Sequence, residues 1–202
     1  MKEKEVGHYV GGQLYRLQGL SEHPRKAALA NLRRGIGRVP GEMPALWGAF
    51  LQNMPEEFQS KTGKPSREEW AIYLALTLYA MHQQGHALPE DNMNRKGESL
   101  GRAIRRLVGP GEDETESSVL KRFNRLATAV DMREISQHLR GIVQLLRAKG
   151  AALDYPKLAE DLYLLQFPAI ASRVRLRWGQ DYYAPLKNGE KDTQEEMKRE
   201  ND

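Results

Sequence analysis

The chain has 202 residues, enough for one compact domain or two small lobes with a real core. It contains no cysteine, which excludes disulfides, thiolate metal sites and cysteine catalysis. Its formal charge is +4, but the stretch from Ala184 to Asp202 holds four basic and six acidic side chains, so the body before it carries 27 basic against 21 acidic residues. A moderate positive balance is compatible with a nucleic-acid partner without establishing one, so the placement of the charges has to decide.

The opening MKEKEVGHYVGG has no apolar run that reads as a signal peptide, and no segment reaches the roughly 20 apolar residues of a membrane span. The expectation is a soluble cytoplasmic protein without membrane contact. RGIGRVPG (Arg34 to Gly41) follows no strand, so its glycines form neither a phosphate loop nor a dinucleotide turn. Trp47, Trp70 and Trp178 each fall on an apolar stripe and are assigned to the core. The pairs Glu56-Glu57 and Glu68-Glu69 lie at helix starts, where the macrodipole favours acids. Ser66 with Glu69 is a capping-box pattern, and the following WAIYLALTLYAM predicts a central buried helix. His82 and His86 have the spacing of metal ligands on a helix. Gln83-Gln84 between them lacks the glutamate base of a zinc protease, and Gly85 signals the helix end, so no metal site is assigned.

Gln84 to Gly97 has no apolar periodicity and reads as a linker. It divides an N-terminal helical lobe, residues 1–90, from a C-terminal basic lobe, residues 91–183. Within the second, Ser99 opens LGRAIRRLV, which stops at Gly109-Pro110-Gly111. Leu100, Ala103, Ile104, Leu107 and Val108 share one arc of its wheel, and Arg102, Arg105 and Arg106 lie opposite. Ser117 or Ser118 opens VLKRFNRLATAV, whose stripe of Val119, Leu120, Phe123, Leu126, Ala127 and Val130 leaves Lys121, Arg122 and Arg125 together elsewhere. Asp131 with Glu134 starts MREISQHLRGIVQLLRAKG, closed by Gly150. Met132, Ile135, Leu139, Ile142, Val143 and Leu146 face inward there, and His138 sits at the edge of that face as a packing residue. Arg133, Arg140 and Arg147 recur every seven residues and form a row, about 10 Å from one arginine to the next, beside Gln137 and Gln144.

Asp154 precedes YPKLAEDLYLLQ, with proline in the first turn. Pro168 precedes SRVRLRWGQDYY. Alternation there would put Arg173, Arg175 and Arg177 on one strand face, whereas helical spacing groups Val174, Trp178 and Tyr182. After so many helices and no hairpin signal, the helix is the consistent choice, and the fold class is all-α, two small helical-bundle lobes. Of Tyr182 and Tyr183, one packs while the other caps or stacks. The segment 184–202 is charged, nearly without apolar residues, and is expected to be disordered.

Charged helix faces are commonly just solvated. What separates these is the shortage of acids: Ser117 to Lys149 holds seven basic residues and two acidic ones, and arginine outnumbers lysine. The planar guanidinium fork suits phosphate, whereas a merely soluble face mixes lysine with glutamate. No nucleophile with a base can be assembled, so neither catalysis nor a cofactor is expected.

LRRG (Leu32 to Gly35), SLGRAIRRL (Ser99 to Leu107), KRFNRLATA (Lys121 to Ala129), the run HLRGIVQLLRAKGAALDYPKLAEDL and above all VRLRWGQDYY resemble the CasB family, the small subunit of the type I-E CRISPR interference complex Cascade. The likeness runs from about Leu14 to Tyr183. It implies an all-helical, two-lobed, non-enzymatic protein, present as two copies head to tail beside the backbone subunits and the large subunit. It also implies that a basic surface holds the displaced non-target DNA strand and touches guide RNA or target strand, stabilising the R-loop in antiviral defence. The matched positions are Arg33, Arg34, Arg102, Lys121 and Arg122. The wheels add Arg105, Arg106, Arg125, Arg133, Arg140 and Arg147, while Arg173 and Arg177 cross the strand path or bind a neighbouring subunit. Val174, Leu176, Trp178 and Tyr182 are expected to anchor the last helix. Two rival readings stand beside this one. One is an architectural adaptor whose arginines meet acidic protein surfaces. The other is a helical transcription regulator, which would want a polar base-reading helix start that is not evident.

Overall fold

The computed structural model describes residues 1–109, 113 and 115–185; from residue 186 on, the charged tail lies outside the described residues, as do residues 110–112 of the expected stop after the first basic helix. The described residues form α1 (Lys2–Gly19), α2 (Glu22–Arg34), a 3-10 turn (Pro44–Leu46), α3 (Trp47–Phe50), a second 3-10 turn (Glu56–Phe58) and α4 (Arg67–His82). Then follow α5 (Leu100–Arg105), α6 (Ser118–Thr128), α7 (Met132–Lys149), α8 (Tyr155–Leu165) and α9 (Pro168–Tyr183). No strand occurs among them, only one isolated bridge between Asn94 and Leu153. The fold is all-α.

The caps are the ones that the sequence signals. Ser66 Oγ accepts the Glu69 N–H at 3.0 Å while Glu69 Oε2 accepts the Ser66 N–H at 2.7 Å, completing the capping box of α4. Ser117, rather than Ser118, caps α6 through the Leu120 N–H. Asp131 Oδ1 takes the N–H groups of Arg133 and Glu134 at 2.9 and 2.8 Å. Asp154 caps α8 through Lys157, and Gly150 ends α7 with a left-handed φ of 65°. By contrast α1 and α2 start without any side-chain cap, and α1 carries Gly7, Gly11 and Gly12, so it depends on tertiary packing.

That packing centres on α4, which is buried over nearly its whole length and lies against α1, α2, α7 and α8. Helix α1 also rests on α8, α6 rests on α7, and α9 rests on α5 and α8. The buried apolar side chains form one connected core, from Val6 of α1 to Tyr182 of α9. The 84–97 segment is tied to the α7–α8 connection. Leu153 exchanges backbone bonds with Met93 and Arg95, Asp154 Oδ2 accepts the Gly97 N–H, and Asn94 Oδ1 accepts the Tyr155 N–H.

Helix α5 crosses α9 at close range through Gly101. A Cβ there would overlap the Trp178 carbonyl oxygen and stand 2.8 Å from the Tyr182 nitrogen, and neither backbone atom can swing away. Gly101→Ala is therefore expected to cost about 1–3 kcal/mol by overpacking. Chemical denaturation measures it, and unchanged stability would contradict the close approach.

Three expectations about burial are corrected. Trp47 is 50% exposed, because it starts a single-turn helix whose outer side faces solvent. Val130 is 88% exposed: α6 ends at Thr128 and Ala129 turns extended, so the wheel that placed Val130 on the stripe no longer applies. Leu176 is 63% exposed, two residues and so about 200° from Val174 on α9, whose buried face is Ala171, Val174, Trp178 and Tyr182. Tyr182 packs, and Tyr183, 53% exposed, sits edge-on against it.

Candidate nucleic-acid interface

Helices α6 and α7 pack side by side, each burying one apolar stripe and turning the remainder outward. On α6, Lys121, Arg122 and Arg125 are exposed; on α7, Arg133 and Arg140 are exposed. Among the described residues none of these five side chains has an ion-pair or hydrogen-bond partner. Helix α6 contains no acid at all. The one acid of α7, Glu134, accepts the Val130 N–H at 2.8 Å and lies 3.6 Å from His138.

Where α1 meets α4 and α8, by contrast, the lysines are paired. Lys2 meets Glu68 at 2.9 Å, Lys4 meets Glu160 at 2.9 Å, and Lys157 bridges Glu160 and Asp161 at 3.0 and 2.9 Å. The contrast distinguishes the α6–α7 surface from a face where opposite charges merely keep the protein soluble.

The other sequence-derived candidates divide. Arg34 on α2 and Arg173 on α9 are exposed and, like the five, have no partner among the described residues. Arg102 is exposed but its Nε stands 4.0 Å from Asp181. Arg105 and Arg106 are half-buried, and Arg106 is bound to Glu98 at 3.1 Å. Arg177 is committed to the buried Asp161 at 2.5 Å, beside the Trp178 indole, whose Nε1–H donates to the same carboxylate at 2.7 Å. Arg33 and Arg147 are half-buried, and Arg147 donates to Gln84 Oε1 at 3.0 Å. Arg175 closes a joint by donating to the Ala129 carbonyl at 3.2 Å. Arg95 and Lys96, in the segment after α4, are also exposed and unpaired; a stretch without periodicity gives no wheel on which to place them.

His82 and His86, the pair at metal-ligand spacing, are used internally. His86 Nδ1 meets Asp91 at 2.6 Å. His82 lies fully buried with Nδ1 2.9 Å from the Tyr155 hydroxyl and Nε2 without a hydrogen-bond partner among the described residues, and the Ala151 and Leu146 carbonyls act on the ring. Burial first, and then the charges of His86 and Arg147, push His82 down to about 4 from 6.5, against the raising effect of those carbonyls. Among the described residues no group of three potential metal ligands exists.

The low value has a consequence for stability. The folded state resists protonation of His82 while the unfolded chain accepts it near 6.5, so His82 favours the unfolded state as pH falls from about 6.5 to 4. The ceiling on that loss is roughly 3 kcal/mol, from 1.36 kcal/mol per pH unit. Denaturation of wild type and His82→Gln across this range is expected to give a shallower pH dependence in the variant. Parallel curves would contradict the account.

The family model for CRISPR-associated protein Cse2 matches residues 28–183. Among solved structures, CasB from Thermobifida fusca is 35% identical, covering 89% of this chain and 98% of that one, with a TM-score of 0.73. A Cse2-family CRISPR-associated protein from Thermus thermophilus is 27% identical over 88% and 97% of the two chains, with a TM-score of 0.64. CasB from M. ruber, at 23% identity and a TM-score of 0.63, shares the fold. No curated protein sequence matches the chain. With most of its length matched by the family model, and with CasB from Thermobifida fusca alike in sequence and fold over nearly its whole length, this chain belongs to the CRISPR-associated Cse2, or CasB, family.

Proposed function

We propose that the chain is a non-catalytic subunit of the CRISPR Cascade complex that holds nucleic-acid backbone and so stabilises the R-loop. The observation that carries this reading is the group of exposed, unpaired cations on α6 and α7: Lys121, Arg122, Arg125, Arg133 and Arg140, with Lys149 at the end of α7. Phosphate oxygens accept charge-assisted hydrogen bonds from such groups, and a strand's repeating charge matches a row of them. Sequence reading is left to base pairing between guide and target, and this surface restrains the displaced strand or the guide-bearing duplex through its backbone. The partners on this reading are the backbone and large subunits, a second copy of the chain, the guide RNA and both DNA strands. His82 and His86 are consistent with a non-catalytic role, since His82 is buried and neutral and His86 is tied to Asp91.

Binding of the isolated protein to two single strands of unrelated sequence tests the reading. The two affinities are expected to agree and to fall with salt at a slope of about −0.7 per phosphate contacted. An affinity indifferent to salt, or a strong preference for one strand, would overturn it.

A further inference from the structure

We infer that the groove between α1 and segment 94–97 takes one nucleotide of a single strand, its base against Tyr15 and its phosphate on Lys96. The inference rests on the backbone-binding reading above and adds to it a stacking site on a helix that the charge pattern did not single out. The groove has a volume of about 700 Å³, within the range of small-ligand sites, and its lining includes His8, Gly11, Gly12, Tyr15 and Lys96. His8 and Tyr15 stand one turn before and one turn after the glycines, so all four share a face of α1. Nothing lies within 4 Å of where a Gly12 side chain would begin, and at Gly11 only Pro156 Cγ does, at 3.6 Å. The floor is therefore bare helix backbone open to a flat group, with the Tyr15 ring, 80% exposed, at its edge.

The groups left over in the groove select the occupant. Its acids are already engaged: Glu160 Oε2 is held by Lys4 and Lys157 at 2.9 and 3.0 Å, and the Asp154 carboxylate accepts the Gly97 and Lys157 N–H groups at 2.8 and 2.9 Å. Lys96, His8 and Tyr15 have no side-chain partner among the described residues. An aromatic face with a cation near it is what single-strand binders present, because every base has a π-face and each phosphate accepts from an ammonium. An acidic peptide would meet Lys96 but leave the ring and the open floor unused. Lys96 is also held in place, between Arg95, whose N–H donates to the Leu153 carbonyl at 3.2 Å, and Gly97 on Asp154. Lys149 ends α7 four residues before Leu153, so the α7 surface comes within about 15 Å of that bond, a gap that a few nucleotides of strand can cross.

Stacking and charge are separated by two probes of equal length, a single-stranded oligothymidylate and an abasic deoxyribose-phosphate strand. Tyr15→Ala is expected to weaken oligothymidylate binding about tenfold without changing the salt slope, while Tyr15→Phe binds as wild type does and the abasic strand shows no difference. Lys96→Met is expected to flatten the slope by about 0.7 on both strands. Gly12→Ala should raise the melting temperature, since alanine favours a helix interior and meets no neighbour there, and yet weaken oligothymidylate binding. Full affinity in Tyr15→Ala or Gly12→Ala, or an equal loss on the abasic strand, would overturn the stacking site while leaving the backbone-binding reading in place. Unchanged strand binding by Tyr15→Ala with failed assembly into the complex would overturn it in favour of a protein contact. A wild-type protein that binds neither strand would reject the backbone-binding reading itself, and the groove with it.

Discussion

Replacing Asp161 with alanine is expected to destabilise the protein by about 3 kcal/mol, the lower end of what breaking a buried charged pair costs. Asp161 is 3% exposed on α8 and accepts from three donors: Trp178 Nε1 at 2.7 Å, Arg177 at 2.5 Å and Lys157 at 2.9 Å. The truncation leaves the indole N–H of a fully buried tryptophan without an acceptor, which alone costs about 1–3 kcal/mol. Lys157 and Arg177 reach solvent in part and recover hydration, which keeps the total from the upper end. Asp161→Asn retains an oxygen for Trp178 and should lose less. Chemical denaturation of the two variants reads both values; a loss under about 1 kcal/mol for alanine would show that Asp161 does not hold α9 to α8. The same geometry makes Arg177→Ala chiefly a stability variant, unlike Arg173→Ala.

The triple change Arg133→Ala, Arg140→Ala and Arg147→Ala is expected to weaken single-strand binding about 100-fold at 0.1 M salt, and to flatten the salt slope by roughly 2 units. Folding should change little: Arg133 and Arg140 are exposed, and the Gln84 partner of Arg147 is itself exposed and can bond to water, so each site contributes within about 0.5 kcal/mol. If these arginines instead bind acidic faces of neighbouring subunits, the variant fails to assemble while single-strand affinity stays intact. Measuring assembly and salt slope on the same preparation separates the two.

Local chemistry made most of the helices legible. Ser66 with Glu69, Asp131 with its two N–H donors, and Gly150 at a left-handed C-cap are signals within four residues, and each forms as the sequence implies. Helices α1 and α2 lack such signals: no side chain caps either start, and α1 is laced with glycine. What holds α1 is contact with α8, some 150 residues away, which no window of sequence displays. The outward faces of α6 and α7 followed from their wheels because both helices bury a single stripe. Val130 departed from its wheel because the helix stops two residues earlier. The commitments of the arginines were the least legible part. Arg177 to Asp161, Arg106 to Glu98 and Arg147 to Gln84 are meetings across elements, and an arginine engaged in the interior has the same letter as one facing solvent.

The lifetime of the R-loop in the assembled complex tests the central claim most directly. Complex reconstituted without this chain should release the displaced strand faster than complete complex, and faster still on mismatched targets, where base pairing supplies less of the stability. Wild-type protein should restore the lifetime, and the triple variant, where it assembles, should not. Equal lifetimes with wild type, with the assembled variant and with the chain left out would contradict the account.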